Sequence, residues 1–289
     1  MKQIFVIIYC LMVLVGCNNA TIARKQLARA GALLENAPDS ALLILDDISN
    51  QNGLSSEIKA SAAMLTAKAK LRKGESFMMV EGFDDALDYY ETSKDTTALL
   101  DMYQLAAIKM RWLGDQDSAS MFLNKAVDIA SETTSPSKSE LFIELSNLYA
   151  MPSLNKDYAK AITYAMEAVK VSRTKEERAR AMHDIGLFYS FIGHNDSTAI
   201  FMERALAETD TADPLFTTYA LNYASNPASD FKRSVAYLNR IKKQSLGKLI
   251  TLGFIYLNNS QLDSARYYSE VSKSMYNENP ARYSINTYN

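Results

Sequence analysis

The sequence predicts an all-α protein, a right-handed α-solenoid of about seven helical hairpins. Small residues recur at intervals between 31 and 45 positions, at Ala41, Ala86, Ala119, Ala161, Thr198, Ser234 and Ala265. Helix breakers are scarce, because 289 residues contain only ten Gly and six Pro, and no Ser/Gly-rich linker occurs. A hairpin repeated at such an interval cannot bury both of its apolar sides alone, so we expect it to stack on its neighbours.

The clearest hairpin lies between residues 175 and 205. Its first helix contains Gly186, where the missing side chain lets a neighbouring helix approach closely, and its second helix contains the small Thr198. The same spacing of twelve residues (198 − 186 and 265 − 253) separates Gly253 from Ala265. Two matches of this kind indicate that the hairpin is a repeated unit.

An Asp-Ser pair recurs near four of the predicted second helices. The pairs stand at positions 39–40, 117–118, 196–197 and 263–264. Asp and Ser side chains accept hydrogen bonds from the unpaired backbone N–H groups at a helix start. We therefore expect these pairs to be the N-caps of the second helices.

This pattern resembles the tetratricopeptide repeat (TPR) over roughly residues 20–276. More narrowly, the segment from Ala28 to Leu45 resembles the first helix pair of TPR lipoproteins common among Bacteroidetes. The resemblance implies TPR-like hairpins whose first helices line the concave side of a superhelix. In that group the array is often followed by a transmembrane helix and a cytoplasmic helix-turn-helix, and residues 280–289 do not follow that plan.

The remaining hairpins follow in chain order. The first spans residues 20–49, and Pro38 suits the first turn of its second helix, where a missing N–H is no loss. A helix is expected from Glu57 to Arg72, followed by a long turn over residues 74–83.

Two later hairpins depart from the regular pattern. In the fourth, the segment 150–156 adds three residues before Ala161, which predicts a loop at one edge of the array. In the sixth, the segment 222–228 replaces the usual glycine turn.

The N-terminus has the character of an export signal. Lys2 precedes an apolar run from Ile4 to Val15, which is too short to span a bilayer comfortably. The sequence Leu14-Val-Gly-Cys17 resembles the lipobox of bacterial lipoproteins, in which the cysteine is acylated and becomes the first mature residue. The alternative, a buried helix of a soluble protein, is disfavoured because no polar face interrupts the run. We expect a signal peptide at 1–16, a lipidated tether at 17–20, the solenoid at 21–279 and a short helix or tail at 280–289.

The residue after the cysteine bears on the destination of the protein. Asn18 stands where an aspartate would be expected for retention at the inner membrane, and no acidic cluster follows it. By resemblance to known sorting rules, we expect a lipid-anchored protein of the cell envelope, in the outer membrane and facing the periplasm. Two or three acyl chains would hold it on the lipid bilayer stably.

Composition excludes several functions. Removal of residues 1–16 takes Cys10 away, so the 273 remaining residues (289 − 16) would have no free thiol once Cys17 is acylated. The remaining residues would carry 30 Lys and Arg against 33 Asp and Glu, and we recognise no basic block among them. Nucleic acid is therefore not an expected partner. His183 and His194 are the only histidines, and no HExxH, GxSxG or P-loop spacing occurs. We expect no enzyme activity, no cofactor and no metal.

The resemblance to TPR proteins implies where a partner would bind. Side chains at fixed offsets from the glycine position of each first helix would line a groove, with Phe191 and Phe254 either exposed there or packed on the next hairpin. The groove residues are Asp101, Gln104, Ile108, Arg111, Trp112, Arg180, His183, Leu187, Phe191, Tyr219, Tyr223, Phe254 and Leu257. Aromatic anchors with scattered charges suit an extended peptide or a partner helix.

Two functions remain open at this stage. The first is a membrane-anchored TPR scaffold that binds a protein or peptide in the cell envelope through its concave surface. The second is a glycan- or nutrient-binding helical-repeat lipoprotein associated with an outer-membrane transporter. Such proteins carry large loop insertions, whereas the insertions in this chain are short.

Overall fold

The computed structural model describes residues 19–130 and 138–278. The predicted signal peptide at 1–16, Cys17 and the predicted tail at 280–289 lie outside the described residues. Within the described residues every regular element is a helix and no strand occurs. The predicted all-α class is therefore confirmed.

The described residues contain fourteen helices joined mostly by short turns. In chain order they are α1 (19–33), α2 (Pro38–Ser49), α3 (Ser56–Arg72), α4 (Phe83–Thr92), α5 (Thr96–Trp112), α6 (Gln116–Ile129), α7 (Lys138–Ala150), α8 (Tyr158–Val171), α9 (Lys175–Phe191), α10 (Asn195–Glu208), α11 (Pro214–Ser225), α12 (Phe231–Arg240), α13 (Leu246–Asn258) and α14 (Leu262–Glu278). The predicted helix from Glu57 to Arg72 is α3, and Pro38 begins α2 as predicted. The insertion predicted in the fourth hairpin is the turn 151–157.

The helices divide into two compact units, the first containing α1 to α6 and the second α7 to α14. In the first unit, α3 packs against both α2 and α4, and α5 packs against both α4 and α6. Alanines fill the closest contacts, because small side chains let the helix axes approach. Its apolar core forms one cluster around Leu45 and Ile58 and another around Phe77 and Met102.

The second unit contains α7 to α14. Each described helix packs against its sequence neighbours, and α11 also contacts α13, which is the first helix of the following hairpin. The largest apolar cluster joins α9, α10, α11, α12 and α13 around Phe216, Leu238 and Leu252. Contacts between successive first helices are what stacked hairpins require.

The recurring small residues lie where the sequence places them. All seven fall in the even-numbered helices α2, α4, α6, α8, α10, α12 and α14, and all are buried. Gly186 of α9 shows the reason most clearly, because a Cβ atom there would lie 2.8 Å from Cγ of Met202 in α10. Gly253 faces α14 with more room, since its nearest neighbour would be Cβ of Tyr268 at 3.6 Å.

The Asp-Ser pairs are not N-caps, so that prediction is wrong. Asp117 and Ser118 lie in the first turn of α6, and the cap is Asp115, whose carboxylate accepts a hydrogen bond from the Ser118 N–H at 3.0 Å. In α10 the N-cap position is His194, without a side-chain cap, and Asp196 again lies in the first turn. These aspartates are stabilised by the partial positive charge of a helix start rather than by capping.

Candidate partner-binding surface

The predicted groove residues of the first unit lie on α5 and are partly engaged within the fold. Asp101 forms an ion pair with Lys68 of α3, so its carboxylate joins two neighbouring first helices. Ile108 packs on the apolar cluster beside it, whereas Gln104 and Arg111 are half-buried. These side chains therefore contribute to the packing of α5 as well as to its solvent-facing surface.

Trp112 ends α5 and keeps part of its indole exposed. Its ring lies 4.9 Å from the buried ring of Phe77, with the two planes at 49°. One edge of the indole is therefore held by the core while the other faces solvent. A half-exposed, preorganised aromatic side chain is a suitable anchor for a partner.

On α9 the predicted residues separate into exposed and buried positions. Arg180 is exposed, Leu187 packs partly on the core, and Phe191 is 61% exposed with its ring 5.5 Å from that of Tyr158. His183 is buried, so its prediction as a groove residue is wrong.

His183 belongs to a polar cluster between α9 and α11. Its ring stacks on Tyr219 with centroids 4.2 Å apart, and its Nε2 lies 2.9 Å from the amide nitrogen of Asn222. Nδ1 lies 3.5 Å from a carboxylate oxygen of Asp184. Burial, and then the charge of Asp184, raise the pKa of Tyr219 to about 12. The cluster joins α9 to α11.

Tyr219 and Tyr223 were expected to line the groove on α11, and both are buried, with exposed fractions of 3% and 1%. The prediction is wrong because the turn between α11 and α12, residues 226–230, is two residues longer than the turn 192–194 between α9 and α10. Counting back twelve residues from Ser234 therefore misplaces the register by two. Ala220, fourteen residues before Ser234, is fully buried and matches the position of Gly186.

On α13 the predicted side chains are open to solvent. Phe254 and Leu257 are 50% and 55% exposed, and Ile250 is exposed as well. Their spacing of four and three residues places them in one row on the helix surface. The alternative, that Phe254 packs on a following hairpin, does not apply within the described residues.

A charge feature that the repeat pattern does not indicate lies in the chain around this row. From Phe231 to Leu262 the chain has no Asp or Glu and carries six basic residues, namely Lys232, Arg233, Arg240, Lys242, Lys243 and Lys248. Our statement that no basic block exists is therefore wrong for this region. The cations stand as the pairs Lys232-Arg233 and Lys242-Lys243 and as the single residues Arg240 and Lys248, so no run of them exceeds two, and the feature is visible only as a stretch without carboxylates.

No group of three or more His, Cys, Asp or Glu side chains is arranged to hold a metal ion in residues 19–130 and 138–278. Over the same residues, no helix combines the length and apolarity that a membrane span needs.

Comparisons with known proteins place the fold. No family model matches the sequence, and no curated protein matches it. Among solved structures, the apo form of RapI aligns over 90% of this chain and 74% of its own with a TM-score of 0.62 and 12% identity. A signal-transduction ATPase with a tetratricopeptide-repeat sensor, from Pyrococcus horikoshii, aligns over 91% of this chain with a TM-score of 0.59 and 12% identity. The fold is of the tetratricopeptide-repeat type.

A third structure supports the same assignment. PilF of Pseudomonas aeruginosa aligns over 76% of this chain and 93% of its own, with a TM-score of 0.54 and 15% identity. The alignment with the archaeal ATPase covers 43% of that larger protein. At these identities the likeness concerns the fold, and it confirms the predicted all-α solenoid class.

Proposed function

We propose that this protein is a TPR scaffold of the bacterial cell envelope that binds a protein or peptide partner. In each unit the binding surface is formed by side chains of the first helices that remain open to solvent. Phe191, Phe254 and Leu257 are the main anchors in the second unit, and Trp112 is the anchor in the first.

One observation carries the proposal: Ile250, Phe254 and Leu257 on α13 are about half exposed, although most aromatic side chains of the described residues are packed. Exposing apolar area to water costs about 25 cal/mol per Å². A row of such side chains at helical spacing is typical of an interaction surface. Binding of a partner would remove this area from water and so supply much of the affinity.

The polar clusters support a binding role rather than a catalytic one. His183 is stacked and hydrogen-bonded between two helices. The ion pair Arg178–Glu208 joins the two helices of one hairpin, and Lys125–Glu91 joins neighbouring hairpins. Each of these groups already has a partner within the fold, so their arrangement favours stability.

The membrane anchor and the location are part of the proposal and rest on the sequence. The apolar run Ile4–Val15 followed by Cys17 resembles a lipoprotein signal, and Asn18 favours the outer membrane facing the periplasm. An acyl anchor would keep the binding surface in the envelope, where a scaffold would organise a complex.

Cross-linking in native membranes tests the proposal. The full chain is expressed in its host with an affinity tag, cross-linked, purified, and its attached chains are identified. We expect a dominant protein partner. Absence of any enriched protein, together with saturable binding of sugars by the purified chain, would favour the glycan-binding alternative.

A further inference from the structure

A region of the second unit combines an exposed apolar row with uncompensated positive charge. The apolar row is Ile250, Phe254 and Leu257 on α13. The stretch of 32 residues that contains it, 231–262, has six cations and no carboxylate, although the whole chain has a net charge of −2. Such a local excess creates a positive potential in an otherwise slightly acidic protein.

Some of these cations are satisfied within the fold. Arg233 forms an ion pair with Glu203 of α10. The guanidinium of Arg240 lies 4.9 Å from the ring centre of Phe216, a cation–π contact that leaves its charge unneutralised. Lys248 Nζ donates to the carbonyl oxygen of Ile241 at 2.9 Å, which also leaves a positive charge.

Three lysines have no acidic partner. Lys232, Lys242 and Lys243 are exposed, and no ion pair joins them to a carboxylate within the described residues. Along the chain the stretch is bounded by Asp230, which caps α12 by accepting from the Arg233 backbone N–H at 2.8 Å, and by Asp263 in the first turn of α14.

The packing of α12 on α13 places these cations at both ends of the apolar row. The ring of Phe231, at the start of α12, lies 5.4 Å from that of Tyr256, near the end of α13. The two helices are therefore antiparallel, with Lys232 beside the end of α13. Lys242 and Lys243 lie in the turn 241–245, beside the start of α13.

We propose that α13 and its flanking lysines bind an acidic amphipathic segment of a partner protein, with apolar residues along one side and carboxylates at both ends. This inference rests on the proposed function and specifies the chemistry of the partner. The row is one side chain wide and spans about 10 Å, which fits a helix or an extended segment. Carboxylates of the partner would pair with Lys232 at one end and with Lys242 and Lys243 at the other.

A narrow row of exposed apolar side chains suits the binding of a peptide better than the binding of a membrane surface. Interfacial membrane binding uses a helix whose whole apolar face enters the lipid. Here the apolar side chains of α13 form a narrow row, because Leu249, Leu252 and Ile255 on the same helix are buried in the protein core.

Fluorescence anisotropy with synthetic peptides tests the charge requirement. The probe is a labelled helical peptide of about 14 residues with leucines on one side and glutamates on the other, compared with its glutamine and lysine analogues. The full chain should bind the glutamate peptide about tenfold more tightly than the glutamine peptide, and high salt should remove the difference. Equal binding of the three peptides, or no binding of the glutamate peptide, would overturn the inference.

Matched variants locate the site. Lys242→Glu with Lys243→Glu should weaken binding of the glutamate peptide about tenfold, and Phe254→Ala should do the same. The control Lys59→Glu with Lys94→Glu changes two exposed lysines of the first unit and should leave binding unchanged. Circular dichroism confirms that each variant is folded. Equal loss in the control would contradict a site on α13.

Photo-cross-linking in the host separates this inference from the proposed function. A photoreactive amino acid replaces Phe191 in one variant and Phe254 in another. Capture at 254 of a mapped acidic segment, lost in the Lys242→Glu, Lys243→Glu background, supports the inference. Capture of protein at 191 alone, or attachment of phospholipid at 254, overturns it and leaves the scaffold function standing. Capture at neither position, when a third variant with the photoreactive amino acid at Trp112 also captures no protein, contradicts the scaffold function itself.

Discussion

Gly186 of α9 lies so close to Met202 of α10 that a Cβ atom at position 186 would stand 2.8 Å from the Met202 Cγ atom. Met202 is itself buried, so its side chain has little room to move. The contact explains why a flexible residue is used inside a seventeen-residue helix. Close approach of the two helices of a hairpin outweighs the helix propensity that alanine would add at this position.

Gly186→Ala should therefore destabilise the protein. Overpacking costs about 1–3 kcal/mol, and the gain in helix propensity returns about 1 kcal/mol, so we expect a net loss of about 1 kcal/mol in urea denaturation. Gly253→Ala is the matched control, because its new methyl group would meet Tyr268 at an ordinary 3.6 Å. The control should gain about 0.5–1 kcal/mol. An equal increase in the free energy of unfolding for both variants would contradict the close approach at Gly186.

Alkaline pH should weaken the second unit through Tyr219. Its pKa in the folded protein is raised from 10.0 to about 12, first by burial, and its ionised form is therefore disfavoured in the fold. The contribution of protonated Tyr219 to the free energy of unfolding is therefore complete below pH 10 and is lost as the pH rises towards 12. The urea midpoint of the protein should fall across this interval, and Tyr219→Phe should reduce the fall. If the urea midpoint of Tyr219→Phe falls with pH as steeply as that of the unchanged protein, Tyr219 does not titrate as the structure implies.

His183 should matter for stability. His183→Ala would remove the stacking on Tyr219 and the bond to Asn222, and leave a cavity, at a cost of about 2 kcal/mol. Arg180→Ala, on the exposed side of the same helix, should change the free energy of unfolding by less than about 0.5 kcal/mol. Chemical denaturation of both variants compares the two positions. Equal stability would mean that the cluster contributes nothing to the fold.

The helical hairpins could be predicted from the sequence because their packing requires small residues at fixed positions. Gly186, Thr198 and Ala265 stand where two helix backbones approach, and that requirement leaves a regular spacing in the chain. The helix predicted from Glu57 to Arg72 is observed from Ser56 to Arg72, one residue longer.

The surface was harder to predict because it depends on turn length. Two additional residues in the turn 226–230 shift the register of α11, which buries Tyr219 and Tyr223. Ser229 closes that turn by donating to the carbonyl oxygen of Tyr223 at 2.6 Å, a contact that no repeat pattern indicates. Between α13 and α14 the turn has three residues, as between α9 and α10, and Phe254 and Leu257 are exposed there.

Lipid attachment is a prediction of the sequence alone. If Cys17 is the acylated residue, Cys17→Ala should abolish incorporation of a labelled fatty acid into the protein. Cys10→Ala should retain the label, because that cysteine lies within the predicted signal peptide. Labelling in the host, followed by purification and gel analysis, distinguishes the two variants. Persistent labelling of the Cys17 variant would exclude the lipobox interpretation.

The most direct measurement of the scaffold function is the amount of partner recovered from cross-linked native membranes when two anchors are removed. Phe191→Ala combined with Phe254→Ala should reduce recovery about tenfold or more, because both side chains are exposed and available to a partner. Leu43→Ala is the control, since Leu43 is 73% exposed on α2, a second helix. The proposal predicts loss of the partner in the double variant and full recovery in the control, with both proteins folded. Equal recovery from both would contradict binding through the first helices.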